Sequence, residues 1–209
     1  NVSNIPFTQD NERITIIGDL HGQFSTLLHI VTEGPQGDLA IGSDSNGMRR
    51  RYIFVGDYIN RESDSLPIVI LAYAMKCAFP DDVFLIRGNH ETTGNTAYKS
   101  INLSREVNLR YPKESKTVLG YITNSFKYLP IGYVIDRSII VVHAGVGPDG
   151  SKNTIEKLNS IIRTVENPGG LFHSAFNARK FDSSYIKQFL DDENLQCLVR
   201  GHDSNSLGI

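Results

Sequence analysis

Short β-branched apolar runs recur along this chain, each closed by a glycine or a polar loop and each separated from the next by a stretch with helical spacing. The runs are Arg13 to Gly18, Tyr52 to Gly56, Val83 to Arg87, Tyr133 to Asp136, Ser138 to His143 and Gln196 to Arg200, and their length and branching predict strands. Between them, the spacing of Phe24, Leu27, Leu28 and Val31 predicts a helix, as do Leu66 to Phe79, Ile155-Leu158-Ile161-Ile162 and Tyr185-Ile186-Phe189-Leu190. Pro67 suits a first helical turn and Pro80 a helix stop. Residues 34–47, rich in Gly, Ser and Asp, read as a surface insertion after the first helix. This is an α/β alternation, in which functional groups collect on loops at the carboxyl ends of strands.

At 209 residues and 40% hydrophobic, the chain is expected to form one soluble domain, 1–209, with a sizeable core. Its 21 Lys and Arg against 23 Asp and Glu leave a net charge of -2, so no global field directs it to nucleic acid or to a membrane surface. No apolar run approaches the roughly 20 residues that span a bilayer, and the start NVSNIPFTQD lacks a basic-then-apolar leader. The first residue is Asn rather than Met, which leaves a removed targeting or export segment open. Cys77 and Cys197 lie inside apolar patterns and are expected as buried, unpaired thiols of a reducing, cytoplasmic setting.

The polar clusters fall where the alternation puts function. Four strand-ending loops read GDLHG (18–22), GDYINR (56–61), RGNHE (87–91) and HAGVGPD (143–149), and a fifth strand ends in RGH (200–202). Each carries a metal-ligand side chain beside a glycine, which lets the backbone turn and approach an ion. Any one loop has a bland reading: an Asx turn for GD, a satisfied core histidine for His143. Five together do not. Asp19, His21, Asp57, Asn89, His143 and His202 form a mixed oxygen and nitrogen set suited to Mn, Fe or Zn. Six ligands exceed one tetrahedral ion, so two ions sharing a carboxylate are expected, with Asp57 as the bridge. Asp19 and His21 complete one site and Asn89, His143 and His202 the other.

These loops resemble the signatures of the phosphoprotein phosphatase branch of the metallophosphoesterases, GDxHG, GDxxDRG, GNHE, HGG and a late RxH, over most of the chain from Gly18 to His202. The resemblance implies a four-layer α+β metallophosphoesterase fold, a central β-sandwich flanked by helices with a dinuclear metal centre on strand-end loops. It implies two divalent ions (Mn, Fe or Zn) as cofactors and a phosphoprotein or phosphopeptide as substrate. It also makes His90 the general acid, with Asn60 beside it, and places Arg61, Arg87 and Asn89 near the bound phosphate. The chemistry is coherent: a hydroxide shared by two cations attacks phosphorus in line, an imidazolium protonates the leaving oxygen, and an arginine fork holds two phosphate oxygens.

The chain departs from the pattern at three places. No segment clearly matches the family's second arginine clamp; Arg179 in FNARKF is the candidate, with Arg163 behind it. The chain ends soon after His202, where the family continues through further strands bordering the site, so either a trimmed or a minimal domain is expected. Asn60 stands where the family has Asp, and keeps an acceptor oxygen for His90 without the charge, so His90 should be oriented yet cationic over a narrower pH range. Glu62, in place of Gly, should point outward. The expected activity is hydrolysis of phosphoserine and phosphothreonine in proteins. A symmetrical dinucleoside-tetraphosphatase, a phosphotyrosine phosphatase and a binding pseudophosphatase are the other readings the loops allow.

Overall fold

The computed structural model describes residues 2–8, 10–33, 41–92, 102–145, 154–160 and 183–203. In chain order these form β1 (Val2–Ile5), β2 (Glu12–Ile17), α1 (Phe24–Glu33), β3 (Gly42–Ser43), β4 (Arg49–Phe54), α2 (Ser65–Ala78), β5 (Val83–Leu85), α3 (Leu103–Arg110), α4 (Ser115–Phe126), β6 (Gly132–Ile135), β7 (Ile139–Val142), α5 (Ile155–Ser160), α6 (Ser183–Asp192) and β8 (Cys197–Arg200). One sheet has β2 and β5 parallel to β4 on its two edges, with β3 antiparallel beside the start of β4. The other has the order β1-β6-β7-β8.

The pleat of each strand explains how the two sheets meet. Successive side chains point to opposite faces. In β4, Tyr52 and Phe54 join a cluster with Leu27 and Val31 of α1, Ile68 and Ala72 of α2, Leu103 of α3 and Phe126 of α4. The alternate residues, Ile53 and Val55, face Ile5, Tyr133, Ile135 and Val141 of the other sheet. Beyond that sheet, Val134, Ile140 and Val142 pack on Phe189 of α6 and Ile155 of α5. The described residues therefore form the expected four layers, helices on sheet on sheet on helices. Each large aliphatic or aromatic side chain buried this way stabilises by roughly 1.5–3 kcal/mol.

All six expected strands and all four expected helices are present, within a few residues at each end where they are described. Four elements lie outside the periodicity reading. β1 is a four-residue edge strand exposed at its middle positions, so it shows no apolar run. The two-residue β3, inside the stretch read as a surface insertion, pairs Gly42 and Ser43 with Arg50 and Arg49; 34–40 lie outside the described residues. α3 is largely polar and α4 is interrupted by Gly120, yet both bury one face on α2 and the sheet. The expected burial of the two cysteines is overturned, while both thiols are unpaired as expected. Cys77 lies on the outward face at the end of α2 and Cys197 opens β8 at a sheet edge, and both are exposed and free. The basic run Arg49-Arg50-Arg51 is paired residue by residue, Arg49 to Asp82, Arg50 to Asp44 and Arg51 to Glu12, so it offers no open anion site. Among the described residues no helix is long and apolar enough to cross a membrane.

Candidate metal centre

Parallel pairing puts the loops together. β2, β4 and β5 run the same way, so Asp19 and His21, Asp57, and Asn89 and His90 leave the first sheet at one end. β7 and β8 are parallel in the second sheet and deliver His143 and His202. Three backbone bonds pin the first loop to the second: His21 N–H donates to Asp57 O at 2.8 Å, Leu20 N–H to the same oxygen at 3.2 Å, and Gly22 N–H to Tyr58 O at 3.1 Å. Two more cross between the sheets, from His143 Nδ1–H to Val55 O (2.8 Å) and from His202 N–H to Asp19 Oδ1 (3.0 Å).

The ligand atoms gather in two groups, His21, Asp57 and His90 in one and Asp57, His143 and His202 in the other, with the atoms of each within 4.8 Å of one another. Asp57 belongs to both. Its Oδ2 lies 3.4 Å from His21 Nε2 and its Oδ1 lies 3.5 Å from His143 Nε2. Asp19 sits between the groups, 3.8 Å from His21 Nε2 and 3.9 Å from His143 Nδ1. Asn89 Oδ1 and His202 Nδ1 lie 3.0 and 3.1 Å from His143 Nε2.

The donor chemistry fits divalent ions. His21 Nδ1–H donates to Ile59 O at 3.1 Å and His143 Nδ1–H to Val55 O, so in each neutral ring the lone pair is on Nε2, facing carboxylates. His21 Nε2 is buried without a hydrogen-bond partner among the described residues. Two acceptors, His143 Nε2 and Asn89 Oδ1, face each other at hydrogen-bond distance, an arrangement a shared cation satisfies. Burial lowers the pKa of His21 and takes His143 down to about 4, so both rings are neutral at pH 7, the form that ligates metal.

The backbone is strained to achieve this. His21, Asp57 and His202 have φ of 43°, 52° and 67°, the left-handed region that costs non-glycine residues of order 1–3 kcal/mol each. Asn60 and Arg61 follow at 71° and 73°. Glycine is required at 56 and 88, where the loops after β4 and β5 touch backbone to backbone. A Cβ on Gly56 would fall on Gly88 N, and one on Gly88 would fall on the backbone and carboxylate of Asp57.

His90 is buried, its N–H donating to Asp57 Oδ1 at 2.9 Å. Its Nδ1 faces Asn60, but the contact is reversed from expectation. The Asn60 oxygen accepts from Leu103 N–H at 3.2 Å, at the start of α3, and the amide nitrogen therefore lies 3.0 Å from His90 Nδ1. A ring nitrogen that accepts carries no proton, so the proton of His90 sits on Nε2. Burial, then the charges of His21, Arg61, His143 and His202, lower the His90 pKa to about 3.

Arg61 is exposed, and its charge acts on both His21 and His90. Glu62 beside it is exposed, as expected. Arg87 requires a correction. It is fully buried and its Nε donates to the backbone oxygen of Glu91 at 3.0 Å, so it braces the loop instead of standing open to a phosphate. Arg179 and Arg163 lie outside the described residues. Sequence reasoning missed Glu91. Its fully buried carboxylate accepts from Asp57 N–H (2.8 Å), Gly88 N–H (2.8 Å) and Tyr58 N–H (3.0 Å). Burial and then the Asp57 charge raise its pKa, against the lowering pull of those donors. The one signal was that this glutamate is a fixed letter of the GNHE signature, which says nothing of whether its side chain folds inward or into solvent.

Comparison with known proteins places this geometry in a context. Residues 12–205 match the family model described as calcineurin-like phosphoesterase. Among curated proteins, the chain is 31% identical over 213 residues to the serine/threonine-protein phosphatase 4 catalytic subunit of Saccharomyces cerevisiae, covering 93% of this chain and 64% of that protein. It is 31% identical over 215 residues to serine/threonine-protein phosphatase 5 of Arabidopsis thaliana, covering 94% and 37%. It is 33% identical over 153 residues to serine/threonine-protein phosphatase rdgC of Drosophila melanogaster, covering 73% and 21%. The chain thus spans less than two thirds of each of these relatives. Among solved structures, a Saccharomyces cerevisiae protein serine/threonine phosphatase with similarity to human phosphatase PP5 superposes with a TM-score of 0.83 at 24% identity, covering 98% of this chain and 65% of that one. A cold-active protein-tyrosine phosphatase of a Shewanella species superposes at 0.68 and 17% identity, covering 94% and 69%. These two likenesses show the fold.

Proposed function

The chain belongs to the calcineurin-like phosphoesterase family, bearing out the resemblance to phosphoprotein phosphatases, and from that premise we propose that it is a metal-dependent phosphomonoester hydrolase acting on phosphoserine and phosphothreonine in proteins. The observation that carries this reading is Asp57, one carboxylate that faces His21 on one side and His143 with His202 on the other. Asp19, His21, Asp57, Asn89, His143 and His202 would hold two divalent ions, Mn, Fe or Zn. Such ions, when bound, lower the pKa of a water and neutralise phosphate charge. The chain's own groups do the rest. Arg61, exposed beside the cluster, offers a guanidinium fork for two phosphate oxygens. His90 presents Nε2–H for the leaving oxygen, and Asn60 holds that ring in place. The curated relatives' names supply the substrate class.

A second reading rests on Asn60: without a carboxylate beside His90, proton delivery is weak, and the fold would serve as a phosphoprotein-binding module. One experiment separates the readings. Chelator-treated protein is reloaded with Mn, Fe or Zn, metal content is measured, and phosphate release is followed from phosphoserine, phosphothreonine and phosphotyrosine peptides, with diadenosine tetraphosphate and p-nitrophenyl phosphate alongside. Two ions per chain and preferential release from phosphoserine or phosphothreonine peptides are expected. Preference for diadenosine tetraphosphate or phosphotyrosine would replace the substrate assignment, and two ions with no turnover on any substrate would leave the binding module.

A further inference from the structure

We propose that Glu91 is a positioning residue for the metal centre, holding the backbone of Asp57 in the conformation that lets its one carboxylate face both ligand groups, and holding it before any ion arrives. The inference rests on the two-ion reading above. Asp57 has a left-handed backbone, φ 52°, which a non-glycine residue adopts at a cost, so something must hold it there. Asp57 N–H points at Glu91 Oε2 and the next amide, Tyr58 N–H, at Oε1, at 2.8 and 3.0 Å. Two successive amides aimed at one carboxylate fix the peptide plane between them. Gly88 N–H, one residue before the ligand Asn89, donates to Oε2 as well, so the same group ties the loop after β4 to the loop after β5. The glycines at 56 and 88 leave no side chain in the gap, and the buried carboxylate of Glu91 is the bracket across it.

Glutamine tests this with almost no change of volume. Its single oxygen can serve Asp57 and Gly88 or serve Tyr58, and its NH₂ group must then face a backbone N–H on the other side. Glu91→Gln should weaken Mn(II) binding roughly 10–100-fold, the usual scale for groups that orient ligands. It should also replace the spin-coupled signal of a dimanganese pair by uncoupled Mn(II) in electron paramagnetic resonance. The matched control is Glu106→Gln. Glu106 is also buried and accepts a backbone N–H, from Leu66 at 3.0 Å, but at the start of α2. It should lower the melting temperature and leave Mn(II) affinity within about twofold of wild type. Wild-type affinity and coupling in Glu91→Gln, or equal losses in both variants, would overturn the proposal. A wild-type chain that fails to bind two ions would overturn the two-ion reading instead. If Glu91→Gln does not fold, amide exchange in metal-free wild-type protein decides. Slow exchange at Asp57, Tyr58 and Gly88 supports a preformed bracket, and exchange at the rate of open loops overturns it.

Discussion

The amide nitrogen of Asn60 lies 3.0 Å from Nδ1 of His90 because the oxygen of the same amide is held by Leu103 N–H. The amide cannot turn its oxygen to the ring without leaving a helix N-terminal donor unsatisfied, which costs about 1–3 kcal/mol when buried. His90 is thereby a donor at Nε2 in its neutral form, and becoming an imidazolium would break its contact with Asn60.

Restoring a carboxylate should relieve this. In Asn60→Asp one oxygen can keep Leu103 while the other accepts from Nδ1–H, raising the His90 pKa. Turnover of a phosphoserine peptide, whose alkoxide leaving group needs a proton, should rise by roughly 100-fold, toward the range of a positioned acid. With p-nitrophenyl phosphate, whose leaving group does not need one, the rise should be under about tenfold. Steady-state rates on both substrates check this, and equal gains would show that proton delivery is not what Asn60 limits.

His90 falls in a group with His21 and Asp57 that has metal-binding geometry, yet its protonated Nε2 excludes it as a ligand. His90→Gln should therefore keep two Mn(II) per chain. It should slow phosphoserine hydrolysis by roughly 10–100-fold, less than the usual contribution of a full acid. Metal analysis beside kinetics separates the roles: a fall to one ion per chain would make His90 a ligand.

Burial of His143 should weaken the metal-free protein in acid. His143 titrates near 6.5 in an unfolded chain but is pushed down to about 4 by burial, so below pH 6.5 the unfolded state binds a proton that the folded state refuses. The stability tied to this ring is complete above about pH 6.5 and is lost as pH falls toward about 4, on the order of 3 kcal/mol at about 1.4 kcal/mol per pH unit. His90, pushed to about 3, acts in the same direction. His143→Gln should make the melting temperature of chelator-treated protein less sensitive to acid than that of wild type between about pH 6.5 and 4, a comparison in which Glu91, whose raised pKa stabilises the fold as pH falls, is common to both chains. An equal or greater acid loss in the variant would contradict it.

The parts of this protein that were legible in advance share a physical cause. A ligand at the end of a buried strand must be preceded by apolar residues and flanked by glycine, so Asp19, Asp57, Asn89 and His143 announce themselves locally. What could not be read depends on residues far away in the chain. β1, exposed at its middle positions, has no apolar run of its own and becomes a strand by pairing with β6, which begins at Gly132. The orientation of Asn60 is set by Leu103, and the inward fold of Glu91 by amides in the loop after β4. Arg87 looks like its exposed neighbour Arg61 in sequence; only tertiary packing shows that one is buried and the other is not. Cys77 likewise follows an apolar helical pattern to the point where the helix runs out of core.

The pairing of the two sheets carries a consequence for synthesis. The strands β2, β4 and β5 all come from residues 12–85, so the layer bearing Asp19, His21 and Asp57 can close from one contiguous stretch as it leaves the ribosome. Val2 must wait for Gly132, and Ile139 for Cys197. Until then the nascent chain carries an unpaired strand and four of the six ligands, a state suited to chaperone recognition. His143 and His202 arrive with the second layer, so a captured pair of ions marks a chain whose two halves have found each other.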